Sequence, residues 1–311
     1  MLFSITGYMG SGKNTICKLL TEKMGFDRVS GGVVLREGAK EHNMSILQFT
    51  EYLLGLEELS EYDKRADERI MKIASESKGK RMIFDSRTAW HFIPESFKIY
   101  IIVSPYEAAR RTYIVRNEHE EKYDSLDEAQ EALIERRVAE NKRYKKVYGI
   151  NCEDLNNYDL VIDTTSITPD RAVEIILECY NRKVNGLSYE KLWISPQSLF
   201  PTRPLKKIDM EKLQRSYNAI SEHKVMKVEL LRFHDGLFIL DGHGVAIAYN
   251  LLKYPVINPV IVMDEEDLKR QGKEDMKNVI QVTEEDINTW AKLNGFAYNY
   301  CPRIIKKLEE E

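Results

Sequence analysis

A glycine-rich run near the beginning of the sequence has the residue types and spacing of a phosphate-binding loop. Gly7, four further residues, Gly12 and Lys13 match GxxxxGK, with an apolar run before them and a helical pattern after them. Glycines let successive backbone N–H groups turn inward on a phosphate, and the following helix presents its N-terminus to the same anion. The alternative is a strand-to-helix turn without a ligand. The pattern predicts a nucleotide site formed by Gly7, Gly10, Ser11, Gly12, Lys13, Asn14 and Thr15, in which the lysine neutralises charge on the transferred group.

Two side chains are candidate magnesium ligands. Asn14 stands where such loops usually carry a serine or threonine hydroxyl for magnesium, and its carbonyl oxygen is a possible substitute. Thr15 has a hydroxyl, but it lies about 100° further round the helix. Asp85 ends the apolar run RMIFD, and an acid at that end of a strand commonly holds magnesium, although it could equally cap a turn. We predict a metal site at Asn14 and Asp85, and Asn14 favours nucleotide binding over fast phosphoryl transfer.

Two arginines and an acid lie together further along the chain. Arg136, Glu140 and Arg143 are spaced by four and three residues, which places them on one helical face. Guanidinium groups grip phosphate oxygens through paired hydrogen bonds, and the acid can accept from a sugar hydroxyl. The alternative is an exposed face stabilised by pairs of opposite charge.

Further arginines lie elsewhere in the first 120 residues. Arg36 follows a glycine pair and Arg87 follows Asp85, and both positions face the mouth of the same predicted sheet. Several arginines converging there would repel one another unless an anion bound between them, which favours a site for the phosphate of an acceptor. Arg110, Arg111 and Arg116 lie on the next predicted helix, where one or two could close over the transferred phosphate, or they are exposed to solvent.

The elements that must position these residues have an α/β pattern. Up to about residue 182, short apolar runs alternate with helical patterns, as in βαβ units on a parallel sheet. Strands are predicted at 2–6, 81–85, 98–103 and 159–163, and helices at 13–24, 45–54, 60–77, 105–117, 126–147 and 168–182. Three prolines between Pro196 and Pro204 interrupt both periodicities, so we place a domain boundary near 185. A smaller α/β unit follows, with helices at 209–222 and 243–252 and strands at 226–232, 237–241 and 258–263.

Composition restricts the class of protein. A chain of 311 residues favours two domains, and 43% apolar with 31% charged residues is typical of a soluble globular protein. No run approaches a membrane span, and the N-terminus lacks an export signal, so we expect a cytoplasmic protein. The net charge of −4 predicts neither nucleic acid nor membrane as partner, and the oligomeric state stays open. Neither disulfides nor zinc binding is expected from the widely spaced Cys17, Cys152, Cys179 and Cys301.

The first 180 or so residues resemble the cytidylate kinase family of nucleoside monophosphate kinases, most of all its short archaeal-type branch. The likeness lies in GYMGSGKNT, VSGGVVLREGAKEHNMS, FDSRTAWH and IERRVAENKRYKKVYGI with YDLVIDTT. It implies ATP with Mg²⁺ at the glycine-rich loop, and a pyrimidine nucleoside monophosphate, foremost CMP or dCMP, held by Arg36, Arg87, Arg136, Glu140 and Arg143. Catalytic roles would fall to Lys13, Asp85, Arg110 and Arg116. Three departures are Asn14 for a hydroxyl residue, Asp85-Ser86 for a Glu-Gly pair, and Glu140 for aspartate.

The run RFHDGLFILDGHGVAIAYNLLKYPVINPVIV resembles the ParB and sulfiredoxin-like domain, in which a strand leads through Asp-Gly-His to a helix. In that family a glycine-histidine-arginine element binds nucleotide phosphate at the helix N-terminus. Here Gly244 and Val245 follow His243, so the arginine is missing and the histidine is expected to be a structural cap or an exposed polar residue. The expected organisation is a P-loop kinase domain with a parallel sheet at 1–185, followed by a ParB/sulfiredoxin-like α/β domain at 186–311.

The leading hypothesis is an enzyme that transfers the γ-phosphoryl group of ATP to a small acceptor through positioning and electrostatics, without a strong general base. A non-catalytic nucleotide sensor that signals through the C-terminal domain is the main alternative, favoured by Asn14 and by the missing arginine. A kinase for another small acceptor is a third possibility, which would keep Lys13 and use the arginines differently.

Overall fold

The structure is a computed structural model that describes the chain except residues 45, 57, 117–122, 235, 259, 274, 296–301, 303, 304, 306, 307 and 309–311. The chain forms two compact units. The first comprises Met1–Ile102, Arg111–Ile162 and Thr168–Tyr189. The second comprises Val103–Arg110, Asp163–Ile167 and Glu190–Glu311. Two short segments that precede the predicted boundary near 185 therefore group with the second unit.

The first unit is built on a sheet whose strands follow the order β2-β3-β1-β4-β5. β1 is parallel to both β3 and β4, and β2 is parallel to β3. Apart from β2, the strands are almost completely buried and mainly apolar, as expected for parallel strands covered on both faces. The strands are β1 (Leu2–Gly7), β2 (Asp27–Ser30), β3 (Met82–Asp85), β4 (Phe97–Ile102) and β5 (Leu160–Asp163).

Helices connect these strands, and local sequence signals fix several of their ends. Ser60 and Asp63 form a capping box at the start of α4, and Pro169 occupies the first turn of α8 behind Thr168. Left-handed glycines at Gly25 and Gly149 end α1 and α7. The helices are α1 (Lys13–Met24), α2 (Gly32–Glu41), α3 (Ile46–Gly55), α4 (Glu61–Ser75), α5 (Ala89–Phe92), α6 (Pro105–Arg116), α7 (Leu126–Tyr148) and α8 (Pro169–Val184).

The predicted strands of this unit are confirmed to within one residue, whereas β2, α2 and α5 were not predicted. β2 has the sequence DRVS, with exposed or half-buried side chains, so it lacks the apolar run of a central strand. α2 contains Gly38, which lowers helix propensity. That glycine is required, because a Cβ there would lie 2.5 Å from the ring of Phe49.

The second unit contains its own sheet, in the order β10-β8-β9-β7, with β8 and β9 antiparallel. Trp290 is fully buried, and its indole N–H donates to the Leu199 carbonyl at 3.1 Å. The strands are β6 (Leu192–Trp193), β7 (Leu199–Pro201), β8 (Val228–Phe233), β9 (Gly236–Asp241) and β10 (Val260–Met263). The helices are α9 (Met210–Ser221), α10 (His243–Leu251), α11 (Glu265–Arg270), α12 (Met276–Val279) and α13 (Glu284–Asn294).

A second unit with its own sheet is thus present, and β6, β7 and the helices after β10 are additions to the prediction. In the part of the chain that the structure describes, no helix combines the length and apolar character needed to cross a membrane. Cys17, Cys152 and Cys179 are buried free thiols, and Cys301 lies outside the described residues.

Candidate functional site

A cavity of about 650 Å³ opens at the carboxyl edge of the first unit's sheet. Its wall comes from the loop after β1, the β2–α2 connection, the end of β3 and the segment after it, and helices α1, α2, α3, α4, α6 and α7. The wall includes all the residues predicted for nucleotide, metal and acceptor, which are Gly7, Gly10, Ser11, Gly12, Lys13, Asn14, Thr15, Arg36, Asp85, Arg87, Arg136, Glu140 and Arg143. The structure therefore gathers two separately predicted groups into one space.

The loop between β1 and α1 depends on its glycines. Gly10 and Gly12 have φ values of 73° and 77°, in the left-handed region where a side chain is strained. A Cβ on Gly7 would lie 2.4 Å from the Ile101 carbonyl oxygen, so only glycine fits beside β4. No side chain caps α1 at Gly12, which leaves the N–H groups of the first turn available to an anion. The loop is therefore shaped to bind phosphate through its backbone.

Asp85 is the centre of a charged group beside this loop. It is 4% exposed, and its two carboxylate oxygens accept hydrogen bonds from Lys13 and from Arg28. Burial alone would raise the pKa of Asp85, but the two cations hold that pKa below its ordinary value. The same Arg28 Nη2 donates to Asn14 Oδ1 at 2.6 Å.

Arg28 is a residue that the sequence reasoning missed. It lies on β2 two residues before Ser30, which is the register partner of Asp85, so it projects on the same face of the sheet. Its contacts bear on the predicted metal site, because Asn14 Oδ1 and both oxygens of Asp85 already accept from cationic donors. In this arrangement the donor set does not fit a directly coordinated Mg²⁺.

The acceptor end of the cavity is a network of arginines and acids. Glu140 accepts from Arg87 Nη2 at 2.9 Å and from Arg136 Nε at 3.1 Å. Burial opposes ionisation of Glu140, but Arg87 and Arg136 hold its pKa below the usual value. Arg143 donates through both terminal nitrogens to Asp63, with one distance of 3.2 Å. Carboxylates thus already offset the positive charges of Arg87, Arg136 and Arg143, so repulsion between these three arginines does not by itself require a bound anion. An acceptor phosphate at the arginines stays a prediction.

Two acids on α4 also escaped prediction. Asp63 binds Arg143, and Asp67 accepts from Thr88 at 3.0 Å and from Tyr148 at 2.6 Å. Burial raises the pKa of Asp67 to about 6. Their spacing of four residues in EYDKRAD was a usable signal, since it places both on one face of a helix.

Arg36 differs from the other predicted arginines. It lies on α2 with an exposed side chain that also lines the cavity. Among the described residues, no carboxylate lies within ion-pair distance of its guanidinium. Arg36 can therefore bind a phosphate without first breaking an ion pair with a described carboxylate.

The arginines of α6 take different positions from one another. Arg110 donates to the Glu107 carboxylate at 2.6 and 2.7 Å and is not part of the cavity wall. Arg111, one residue and about 100° further round the helix, lines the cavity and donates to the Gly10 carbonyl at 3.2 Å. The side chain of Arg116 lies outside the described residues.

In the second unit, His243 is a buried structural residue and not an exposed one. Its Nε2 accepts from the Thr202 backbone N–H at 3.1 Å. Burial, reinforced by nearby Arg203, lowers the pKa of His243 to about 4. The imidazole is therefore neutral at pH 7 and adds no charge for binding an anion.

Comparisons with known proteins concern the N-terminal part of the chain. A family model described as an AAA domain matches residues 4–156. Cytidylate kinase of Methanosphaera stadtmanae is 31% identical over 183 residues, which cover 59% of this chain and 99% of that protein. Cytidylate kinase of Methanocaldococcus jannaschii is 34% identical over 171 residues, which cover 53% of this chain and 89% of that protein.

Among solved structures, shikimate kinase from Bacteroides thetaiotaomicron covers 58% of this chain and is itself covered to 98%, with 12% identity and a TM-score of 0.41. A likeness at that level carries no argument about function.

Proposed function

Because the chain belongs, through its N-terminal part, to the cytidylate kinase family, we propose that it transfers the γ-phosphoryl group of ATP to a nucleoside monophosphate, with CMP or dCMP as acceptor. The observation that carries this proposal is that the phosphate loop and the arginine–acid network line the same cavity, of about 650 Å³. One wall supplies backbone donors for a triphosphate, and another supplies guanidinium groups for a second phosphate.

Catalysis in this site would rest on positioning and charge. The loop and the N-terminus of α1 hold the phosphates of ATP, and Lys13 stabilises charge that develops on the transferred group. Arg36 receives the acceptor phosphate, and Arg87 and Arg136 can turn from Glu140 towards it. A phosphate oxygen of the acceptor is already anionic at neutral pH, so it attacks without a strong general base.

The test is turnover by the full-length chain. The protein is incubated with ATP and MgCl₂ together with CMP, dCMP, UMP, AMP or GMP in turn, and ADP release is followed against a reaction without acceptor. Acceptor-dependent ADP release with CMP or dCMP above the other nucleotides is the expected result. Equal release with and without acceptor would contradict the proposal.

A non-catalytic nucleotide sensor is a second candidate, favoured by Asn14 and by its engagement with Arg28. It predicts that ATP and a monophosphate bind in a calorimeter while no acceptor yields ADP above background. Binding with acceptor-dependent turnover would exclude it.

For the second unit we propose a ParB/sulfiredoxin-like fold with a regulatory role. Support comes from β9 ending at Asp241, from Gly242 in the left-handed region with φ of 91°, and from α10 starting at His243. Since no arginine follows the histidine and the histidine is neutral, we expect calorimetry to show one ATP bound per chain. A stoichiometry of two would indicate a second nucleotide site.

A further inference from the structure

Arg28 is tied to both residues that were predicted to bind magnesium. Its Nη2 donates to Asn14 Oδ1 at 2.6 Å and also to Asp85 Oδ2, while Lys13 takes Asp85 Oδ1. Arg28 itself does not line the cavity, whereas Asn14, Asp85 and Lys13 do. Arg28, which lies on β2, therefore occupies the Asn14 and Asp85 oxygens that were predicted to bind a metal.

We propose that Arg28 is a positioning residue that retains both predicted metal ligands, so that a divalent cation entering with ATP is bound by phosphate and water and not by Asn14 or Asp85. The inference rests on the proposed function, since it concerns the nucleotide held at the same loop. It assigns Asp85 a different role, which is to anchor Lys13 and Arg28.

The charges around Asp85 support this assignment. Its carboxylate is almost completely buried, and a buried charge needs a paired partner. Lys13 and Arg28 supply two positive charges for one negative charge. A divalent cation placed between Asn14 and Asp85 would add like charge next to both, and it would have to displace the guanidinium from two hydrogen bonds at once.

Arginine suits this task better than lysine. Its guanidinium is planar, stays charged at every physiological pH and offers several donors in a fixed arrangement. The short strand β2 places it rigidly, because Asp27–Ser30 pairs in parallel register with Met82–Asp85. The position of Arg28 is thus set by the sheet and not by the mobility of a loop.

The decisive measurement is how strongly Mg²⁺ couples to nucleotide binding in the absence of turnover. The dissociation constant of AMPPNP, a non-hydrolysable ATP analogue, is measured by calorimetry in EDTA and in MgCl₂. The dissociation constant in EDTA divided by that in MgCl₂ is the Mg²⁺ coupling ratio, which is compared between variants. Arg28→Leu releases Asn14 and Asp85 to the metal, and we expect it to raise this ratio at least about fivefold.

The matched control is Arg81→Leu, which removes the same charge from an exposed arginine whose side chain, among the described residues, donates to the Met24 carbonyl. It should leave the ratio unchanged. Should leucine at position 28 prevent folding, judged by thermal melting, Arg28→Gln is neutral yet keeps an amide donor and has the same expected direction. An unchanged or lower ratio in the Arg28 variant that folds, or an equal rise in Arg81→Leu, overturns the inference.

Turnover with CMP is recorded on the same proteins. A raised ratio without any phosphoryl transfer would refute the proposed kinase activity and leave the role of Arg28 intact. Phosphoryl transfer by the unsubstituted chain, with the same ratio in the Arg28 variants, would support the kinase activity and refute the role of Arg28.

Discussion

The two ends of the cavity are held together in different ways. At the phosphate-loop end the binding groups are backbone N–H groups, shaped by three glycines within six residues. At the acceptor end they are guanidinium groups, of which those of Arg87, Arg136 and Arg143 are oriented by acids. The Arg143–Asp63 pair joins residues 80 positions apart. The loop can therefore be read from contiguous sequence, whereas the acceptor end forms only when distant helices pack.

This contrast predicts that the two ends fail differently on substitution. Loss of a side chain at the loop should impair the chemical step while the fold survives. Loss of an acid at the acceptor end should destabilise the fold itself, because it leaves a buried guanidinium without its partner.

The largest effect is expected from Lys13→Ala. Removing the cation that stabilises the transferred group should lower kcat by about 10²- to 10³-fold, with little change in the acceptor KM. Steady-state ADP release is the measurement. Lys18→Ala is the control, since Lys18 lies on the same helix with an exposed side chain paired to Glu22. A rise in the acceptor KM with kcat unchanged would show instead that Lys13 binds the acceptor.

At the acceptor end, Asp63→Asn should lower the Tm of the first unit by about 5–10 °C. The side chains of Asp63 and Arg143 are only 12% and 6% exposed, so the neutral amide leaves a buried positive charge without compensation. Thermal melting followed by circular dichroism measures the shift. Glu61→Gln, in the first turn of the same helix, should change the Tm by less than about 2 °C. Equal Tm shifts in Asp63→Asn and Glu61→Gln would contradict the prediction that the fold depends on the acids at the acceptor end.

A smaller and more selective effect is expected from Arg36→Ala. Since Arg36 lines the cavity and no described acid holds it, its loss should raise the CMP KM about tenfold and leave the ATP KM within about twofold. Lys40→Ala, on the exposed side of the same helix, is the control. A matching rise in both KM values would place Arg36 outside the acceptor site.

The same contrast explains how much of the fold the sequence could predict. Buried strands of the first unit are mainly apolar runs, and their ends were found to within one residue. β2 was missed because DRVS has no such run, and its place is fixed by pairing with β3. Helices α11 and α13 were missed although Asp264 with Asp267, and Thr283 with Asp286, form capping boxes visible in the sequence.

For the site, motif spacing found the residues that line the cavity but not what they touch. Arg136, Glu140 and Arg143 follow from helical periodicity. Arg28 could not be found in this way, since its approach to Asp85 depends on which strands are neighbours. Arg143 reaches Asp63 of α4, and Arg87 reaches Glu140 of α7, only in the folded chain, so the sequence suggested a bound anion where the fold supplies acids.

The smallest predicted effect concerns Asp67 and depends on pH. Its pKa in the folded chain is about 6, against an ordinary value of 3.8, so the folded state binds this proton more tightly than the unfolded state. The stabilisation of the folded state by this proton is fully present below pH 3.8 and is lost as the pH rises through the folded-state pKa of about 6. Asp67→Asn removes this loss and should stabilise the protein by about 1 kcal/mol at pH 7.5.

The gain should vanish near pH 4, because Asp67 is then protonated in the folded chain and resembles the amide. Urea unfolding at pH 4, 5.5 and 7.5 measures the free energy of unfolding for both proteins, and their difference cancels other titrating groups. Glu68→Gln, on the neighbouring exposed position of the same helix, should show no such trend. A difference that does not vary with pH would mean that the Thr88 and Tyr148 hydroxyls, and not burial, govern Asp67. The acceptor end would then resemble the loop end, where hydrogen-bond donors offset the burial of Asp85.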